Sequence, residues 1–152
     1  MAEKYSEIIK NKKARFNYEI LETIEAGIVL KGTEVKSLRQ KKVSIQEAYA
    51  RIMNGEVYIT GLTISHYEQG NRFNHETDRD RKLLLHRQEI KRLTGKLKEK
   101  GLTLIPLKLY FKEGRVKVEL GLGRGKAKYD KRATIKKRDS DRDLARDMKR
   151  YT

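Results

Sequence analysis

Residues 102–122 read Leu102-Thr103-Leu104-Ile105-Pro106-Leu107-Lys108-Leu109-Tyr110-Phe111, then Lys112-Glu113-Gly114-Arg115, then Val116-Lys117-Val118-Glu119-Leu120-Gly121-Leu122. Leu107, Leu109 and Phe111 alternate with Lys108 and Tyr110. Val116, Val118, Leu120 and Leu122 alternate with Lys117, Glu119 and Gly121. A period of two marks strands with one face on a core, and the short link between them predicts an antiparallel hairpin. Upstream, Tyr49 to Met53 and Val57 to Leu62 flank Asn54-Gly55, a strong two-residue hairpin signal. Further upstream, Phe16, Tyr18 and Ile20 alternate as in a half-buried strand. A break is expected at Glu25-Ala26-Gly27, followed by Ile28-Val29-Leu30, a turn at Gly32 and a second strand over Thr33 to Leu38. Ser44, with Glu47 three residues on, predicts a short capped helix through Ala48. His86 to Lys100 reads as a longer helix stopped by Gly101. Five or six short antiparallel strands with one longer helix predict a mainly β fold: a small closed antiparallel OB-like barrel with peripheral helices.

The barrel is expected to occupy residues 1–123 and a basic tail residues 124–152. The last 29 residues hold twelve Lys/Arg against five Asp, and their sizeable apolar residues are Tyr129, Ile135, Leu144, Met148 and Tyr151. Such a segment buries too little apolar surface to offset its backbone entropy, so it is expected to be disordered when free. Leu144, Met148 and Tyr151 nevertheless fall at helical spacing. That thin stripe predicts a tail that becomes helical on a polyanionic partner.

The formal charge of the 152-residue chain is +16, spread over body and tail. This is the electrostatic pattern of a nucleic-acid binder, set against the plainer reading of a basic solvated surface. A membrane partner is disfavoured, because no apolar run approaches the ~18 residues of a spanning helix. The start is polar and lysine-rich, without a secretory signal, and there is no Cys. Both fit a cytoplasmic protein. The run Asn11-Lys12-Lys13-Ala14-Arg15 is placed to grip phosphates just before the first strand. His66 to Lys82 reads as a long polar loop with a role in contact.

No catalytic constellation can be assembled, so the chain is not expected to be an enzyme, nor to carry a cofactor or metal. His66, His75 and His86 are scattered, and none has the Cys or helical His partner that zinc needs. Gly121-Leu122-Gly123-Arg124-Gly125-Lys126 suggests a phosphate loop, but it lacks the required spacing and follows a hairpin strand. It reads better as a flexible hinge. Glu25 and Glu34 flank the region around Gly32; a carboxylate pair can do acid–base work, but no nucleophile or metal partner is visible. Leu83, Leu84 and Leu85 read as core, with room for one of them to face a partner.

Several blocks, in one order and nearly end to end, resemble the SmpB family, the small protein B that binds transfer-messenger RNA. They are Asn11 to Arg15; Tyr18; Glu25-Ala26-Gly27-Ile28; Leu30-Lys31-Gly32-Thr33-Glu34-Val35-Lys36-Ser37-Leu38-Arg39; Tyr67-Glu68-Gln69-Gly70-Asn71; Arg81 to His86; Ile105 to Tyr110; and Lys128-Tyr129-Asp130-Lys131-Arg132. The chain departs from the family pattern at Ala127, at Glu76-Thr77-Asp78 and at Asp147.

The resemblance implies an OB-like barrel that binds the tRNA-like end of transfer-messenger RNA and carries it to ribosomes stalled without a stop codon. It implies that Asn11, Tyr18, Glu25 and Leu84 lie on or beside the RNA-binding face, with Lys12, Lys13 and Arg15 alongside. It further implies that Gly125, Lys126, Asp130, Lys131, Arg132, Lys136, Lys137, Arg138 and Met148 belong to a tail working in the decoding centre and mRNA channel. Elongation factor Tu and alanyl-tRNA synthetase would act on the same RNA. The competing readings are a ribosomal structural or assembly protein and an RNA-processing enzyme.

Overall fold

The computed structural model describes residues 5–68, 74–99 and 101–126. In chain order the elements are β1 (Tyr5–Lys10), α1 (Ala14–Asn17), β2 (Tyr18–Ile28), α2 (Gly32–Arg39), β3 (Val43–Ser44), β4 (Tyr49–Met53), β5 (Glu56–Thr60), β6 (Thr63–Ile64), β7 (Arg81–Leu84), α3 (Arg87–Leu97), β8 (Leu102–Lys112) and β9 (Arg115–Gly125). Six strands run round a ring in the order β9-β2-β7-β5-β4-β8, and β8 returns to β9. Closure is uneven. β8 and β9 pair along their whole length, whereas β4 meets β8 through the single bridge Ala50–Leu104. The barrel is therefore a loosely closed ring, with β1 added to β8 beyond the point where β4 leaves it.

Local chemistry explains both hairpins. Asn54 and Gly55 have φ of 54° and 74°, and Glu113 and Gly114 have 52° and 78°. Two consecutive positive φ values make the tight turn whose twist matches that of the flanking strands. Ile59, Leu83, Leu104, Leu109, Val118 and Leu120 fill the interior, all at 1 % exposure or less. Leu93 brings α3 into the same core.

Four sequence expectations are corrected here. Thr33 to Leu38 is helix, not strand: Glu34, Ser37 and Leu38 form its buried stripe, and the Lys31 N–H donates to the Glu34 carboxylate at 2.8 Å to start it. Ser44 to Ala48 is not a helix. Ser44 pairs with Thr63 in a two-strand ribbon, and only a turn follows, closed by the Ala48 N–H on Ile45 O. β2 runs unbroken through Glu25-Ala26-Gly27, because the small Gly27 leaves space for Leu84 across the strand pair: a Cβ there would lie 3.3 Å from that of Leu84. Phe16 belongs to α1 rather than to the strand.

The fifth correction concerns the glycines of 121–126. They are not a hinge: β9 continues to Gly125, with β2 on one side and β8 on the other. Gly121 and Gly123 are small because Leu107 and Tyr18 press onto them from outside the barrel. A Cβ on either would come within 3.0 Å of those side chains. Ala14, Ile105, Leu107, Tyr18 and Ile20 thus make a second, outer apolar cluster under α1. Leu107 is consequently not in phase with Leu109 and Phe111, as simple alternation predicts. A register shift between Pro106 and Lys108 turns it outward.

Within the segment His66 to Lys82, the described residues from 74 on are less free than their polarity suggests. Arg81 opens β7 with 0 % exposure, and His75 has 1 %. Arg81 donates to Glu34 (2.5 Å) and to the carbonyls of Leu62, Arg79, Glu76 and Thr77. The His75 ring bridges Thr33 Oγ1 and the Ile64 carbonyl, each at 2.9 Å. Residues 74–80 are thereby tied to α2 and β6.

Candidate nucleic-acid interface

Two β-bulges decide which residues share a surface. Tyr18 and Glu25 stand seven positions apart on β2, so strict alternation would put them on opposite faces. The register of β2 against β9 slips between Ile20 and Glu22, and this reverses the phase. Tyr18 and Ile20 then share the outer face with Thr23 and Glu25. On β8 the slip at Leu107 does the same, joining Ile105 and Leu107 to Lys108, Tyr110 and Lys112. The outer face of β2, β9 and β8 therefore has an apolar end and a polar end, separated by about 23 Å along the strand at 3.3 Å per residue.

At the apolar end, Asn11 fixes the bend before α1. Its backbone N–H donates to Leu107 O (2.8 Å) and its side-chain amide to Pro106 O (3.1 Å), both at the bulge. Lys12, Lys13 and Arg15 are exposed around this bend. Asn11, Lys13, Tyr18, Ala48, Tyr49 and Thr103 line one cleft of about 400 Å3. β9 ends at the same place: the Lys126 N–H donates to Asn17 O (2.9 Å) and its ammonium to Arg15 O (3.0 Å). The structure thus brings Asn11, Lys12, Lys13, Arg15, Tyr18, Gly125 and Lys126 to one end of the barrel, where the chain leaves toward residue 127. Asp130, Lys131, Arg132, Lys136, Lys137, Arg138 and Met148 lie outside the described residues.

Asn11 is part of the framework as well as of the surface. Asn11→Ala is expected to cost about 1 kcal/mol of stability through the lost bond to Pro106, read as a lower Tm, in addition to weakening RNA binding. An unchanged Tm would show that the amide does not hold the bend.

At the polar end, Glu25 accepts from the Tyr110 hydroxyl and pairs with Lys112 at 3.5 Å. The Tyr110 bond, assisted by Lys112, holds the Glu25 carboxyl below its ordinary range despite partial burial. Burial, together with that same carboxylate, pushes the Tyr110 hydroxyl well above its ordinary value of 10.0. The Lys108 ammonium sits 5.4 Å from the Tyr110 ring centroid and 5.5 Å from that of Tyr5, within cation–π range. The Tyr5 and Tyr110 rings lie 5.1 Å apart. Around the rim, Glu25 and Leu84 share a further cleft with Gly27, His86, Glu89 and Lys117. Leu84 is 53 % exposed while Leu83 is 1 %, so the leucine run divides between partner face and core.

Sequence reasoning missed Tyr5, Lys108, Tyr110 and Lys112. The signal for the last three was present: Lys108, Tyr110 and Lys112 are the residues that alternate with Leu109 and Phe111. Glu25 and Glu34, which flank the region around Gly32 in sequence, do not come together. Glu34 is buried on the other side, between Arg79 and Arg81, each at 2.5 Å. His86 serves as the residue before α3, its N–H donating to Glu89 (3.0 Å). No helix among the described residues is long and apolar enough to cross a membrane.

Residues 8–150 match the family model described as SmpB protein. An SsrA-binding protein of Desulforudis audaxviator is 60 % identical over 139 residues, covering 91 % of each chain. One of Acetivibrio thermocellus is 58 % identical over 142 residues, covering 93 % of this chain and 92 % of its relative. Among solved structures, a chain of "tmRNA-SmpB: a journey to the center of the bacterial ribosome" is 56 % identical with a TM-score of 0.67. That match covers 79 % of this chain and 85 % of the other.

Proposed function

The chain belongs to the SmpB family, and on that premise we propose that it binds the tRNA-like domain of transfer-messenger RNA and delivers it to stalled ribosomes for trans-translation. The observation that carries this reading is the outer barrel face. It joins stacking surface (Tyr18, Tyr5), hydrogen-bonding groups (Glu25, Tyr110) and flanking cations (Lys12, Lys13, Arg15, Lys108, Lys112). A rigid surface of this kind recognises folded RNA by shape, ribose and unstacked bases. Asn11, Tyr18, Glu25 and Leu84 mark its extent, with Asn11 acting chiefly through the bend it holds. The RNA-binding unit is the barrel, residues 1–123 together with residues 124–126, which end its last strand and close it.

The ribosome-binding unit is the tail read from composition as 124–152, whose first residues, 124–126, are still held in the barrel. It leaves the body beside the basic bend of Lys12 to Arg15. Gly125 and Lys126 set its exit, and Asp130, Lys131, Arg132, Lys136, Lys137, Arg138 and Met148 act in the decoding centre and mRNA channel. About 20 helical residues span roughly 30 Å, enough to follow an RNA-lined channel. The protein itself performs no chemistry. Elongation factor Tu and alanyl-tRNA synthetase act on the same RNA in the cytoplasm.

The RNA recovered with the tagged protein from cells tests this reading. Transfer-messenger RNA is expected in near-stoichiometric amount, with ribosomal RNA present only where ribosomes are stalled. Stoichiometric ribosomal RNA without transfer-messenger RNA would instead make the chain a ribosomal structural or assembly protein.

A further inference from the structure

We propose that the groove between α3 and the β4–β5 hairpin is a docking site for this chain's own residues 139–151, which rest there reversibly while the protein is away from the ribosome. The contact involves no RNA, so it and the RNA-binding reading stand or fall separately.

The groove encloses about 780 Å3. Its floor is apolar: Leu85 and Ile90 lie half-buried in it, and Gly95 adds a notch. A glycine inside a helix destabilises it relative to alanine, yet no packing among the described residues calls for one here. A Cβ at Gly95 would meet no atom within 4 Å outside its own helix. Lys82, Arg87, Lys91 and Lys98 form the rim. Lys82 is paired with Glu56 at 2.9 Å. Arg87, Lys91 and Lys98 are exposed and form no ion pair among the described residues. An apolar floor beneath uncommitted cations fits an amphipathic helix that carries acids beside its apolar stripe. Phosphate groups would use the cations and leave the floor and its notch uncovered.

The sequence supplies that pattern within the same chain. Residues 139–151 read Asp139-Ser140-Asp141-Arg142-Asp143-Leu144-Ala145-Arg146-Asp147-Met148-Lys149-Arg150-Tyr151 and lie outside the described residues. At helical spacing Leu144, Met148 and Tyr151 make one stripe, bordered by Asp143 and Asp147 on one side and by Asp141 on the other. Arg142, Arg146 and Lys149 fall on the opposite face, where solvent would keep them. So short a helix is marginal by itself and needs a surface to lie on. The groove lies within reach. The Gly125 N–H donates to Gly101 O (3.4 Å), three residues beyond Lys98, so the chain leaves the barrel near one end of the groove. Residues 127–138 extend up to about 40 Å, whereas α3, of 11 residues, is about 16 Å long. A tether this short gives an effective concentration of about millimolar, so even a shallow contact is populated within one chain.

The chain has no cysteine, so Lys149→Cys in the full-length protein takes a single nitroxide label on the face away from the stripe. Amide NMR signals of the barrel are then compared with the label oxidised and reduced, at low salt and without RNA. Loss of signal is expected at Arg87, Lys91, Gly95 and Lys98, and not on the outer face of β2 and β9. Asp143→Lys with Asp147→Lys should abolish that loss, as should Lys91→Glu with Lys98→Glu. Combining the two pairs should restore it, because the charges are then exchanged rather than removed. All these positions are on the surface or in the tail, and an unchanged barrel spectrum shows that each variant folds. No signal loss, or loss spread evenly over the barrel, overturns the proposal. So does loss at the groove that survives the Asp reversals, or that the combined variant fails to restore. Loss that appears on isotope-enriched, unlabelled molecules mixed with labelled ones would put the segment on a second copy, and it too overturns docking within one chain.

Discussion

Ending the chain after Lys126 is expected to abolish the tagging of stalled nascent chains and to leave the barrel folded and able to hold the tRNA-like RNA. The cut belongs after Lys126 rather than Gly125, because Lys126 still bonds to Asn17 and Arg15 and closes the end of the barrel. The removed segment, 127–152, contributes ten Lys/Arg and five Asp. Losing this net positive charge lowers RNA affinity moderately at low salt, through fewer released counterions, and the difference shrinks as salt rises. Tagging, by contrast, falls to background, since every group proposed to work in the decoding centre past Lys126 is gone. A subtler version replaces Met148 with Pro. Pro costs a helix interior about 3 kcal/mol, so tagging is lost with RNA binding intact if the stripe Leu144, Met148, Tyr151 forms a helix on the ribosome. Melting curves, filter binding at two salt concentrations and a tagging assay read these outcomes. An unfolded truncation, or one that no longer binds the RNA at any salt, refutes the division of labour. Tagging by Met148→Pro at the wild-type level would mean that the tail acts as an extended basic strand.

Arg81→Met is expected to be the most damaging single change in the body. Arg81 and Glu34 are both fully buried, and Arg81 also satisfies the carbonyls of Leu62, Glu76 and Thr77. Removing it strands a buried carboxylate with only Arg79 as a charged partner, a loss of about 3–5 kcal/mol. For a chain of this size the Tm should drop on the order of 10 °C or more. Adding Glu34→Met to Arg81→Met should recover part of the loss by removing the stranded charge. A double variant less stable than Arg81→Met alone would disprove that account.

The pH dependence of stability follows from the same pair. Burial pushes the Glu34 carboxyl up, but Arg79, the Lys31 N–H and Arg81 outweigh it and hold the group below its ordinary 4.5. A carboxyl lowered in the folded state stabilises the protein above its unfolded value and loses that contribution as pH falls through the folded one. Wild-type stability should therefore drop below about pH 4.5. The double variant should show a shallower acid slope.

What could be read from the chain beforehand was local. Asn54-Gly55 and the link around Gly114 specify their hairpins through the φ values their turns require. The helix after His86 was legible, though it ends at Leu97 with Lys98 as its cap rather than running on to Gly101, and the charge and apolar poverty of 124–152 follow from composition alone. The matching blocks from Asn11 to Arg132 carried the family, and with it the expectation that Asn11, Tyr18, Glu25 and Leu84 belong to one surface. Where alternation was pressed further, it failed at positions governed by distant partners. Thr33 to Leu38 has strand-like composition, yet it coils because Glu34 must reach Arg81, 47 residues away, and only a helix buries Glu34, Ser37 and Leu38 together. Ala26 and Gly27 look like a break until Leu84 is placed across from them.

The site depended still more on tertiary structure. One extra residue in β2 and one in β8 reverse the side-chain phase, and no periodicity count reveals a bulge whose cause is pairing with β9. Those bulges bring Tyr18 onto the face of Glu25, and the register of β2 and β8 on β9 brings Tyr110 to Glu25 across 85 positions of sequence. Charge and composition told what kind of partner this protein meets, because neither depends on how the chain folds. The fold decided which side chains meet it together, because strand register is set by packing between segments far apart in the chain.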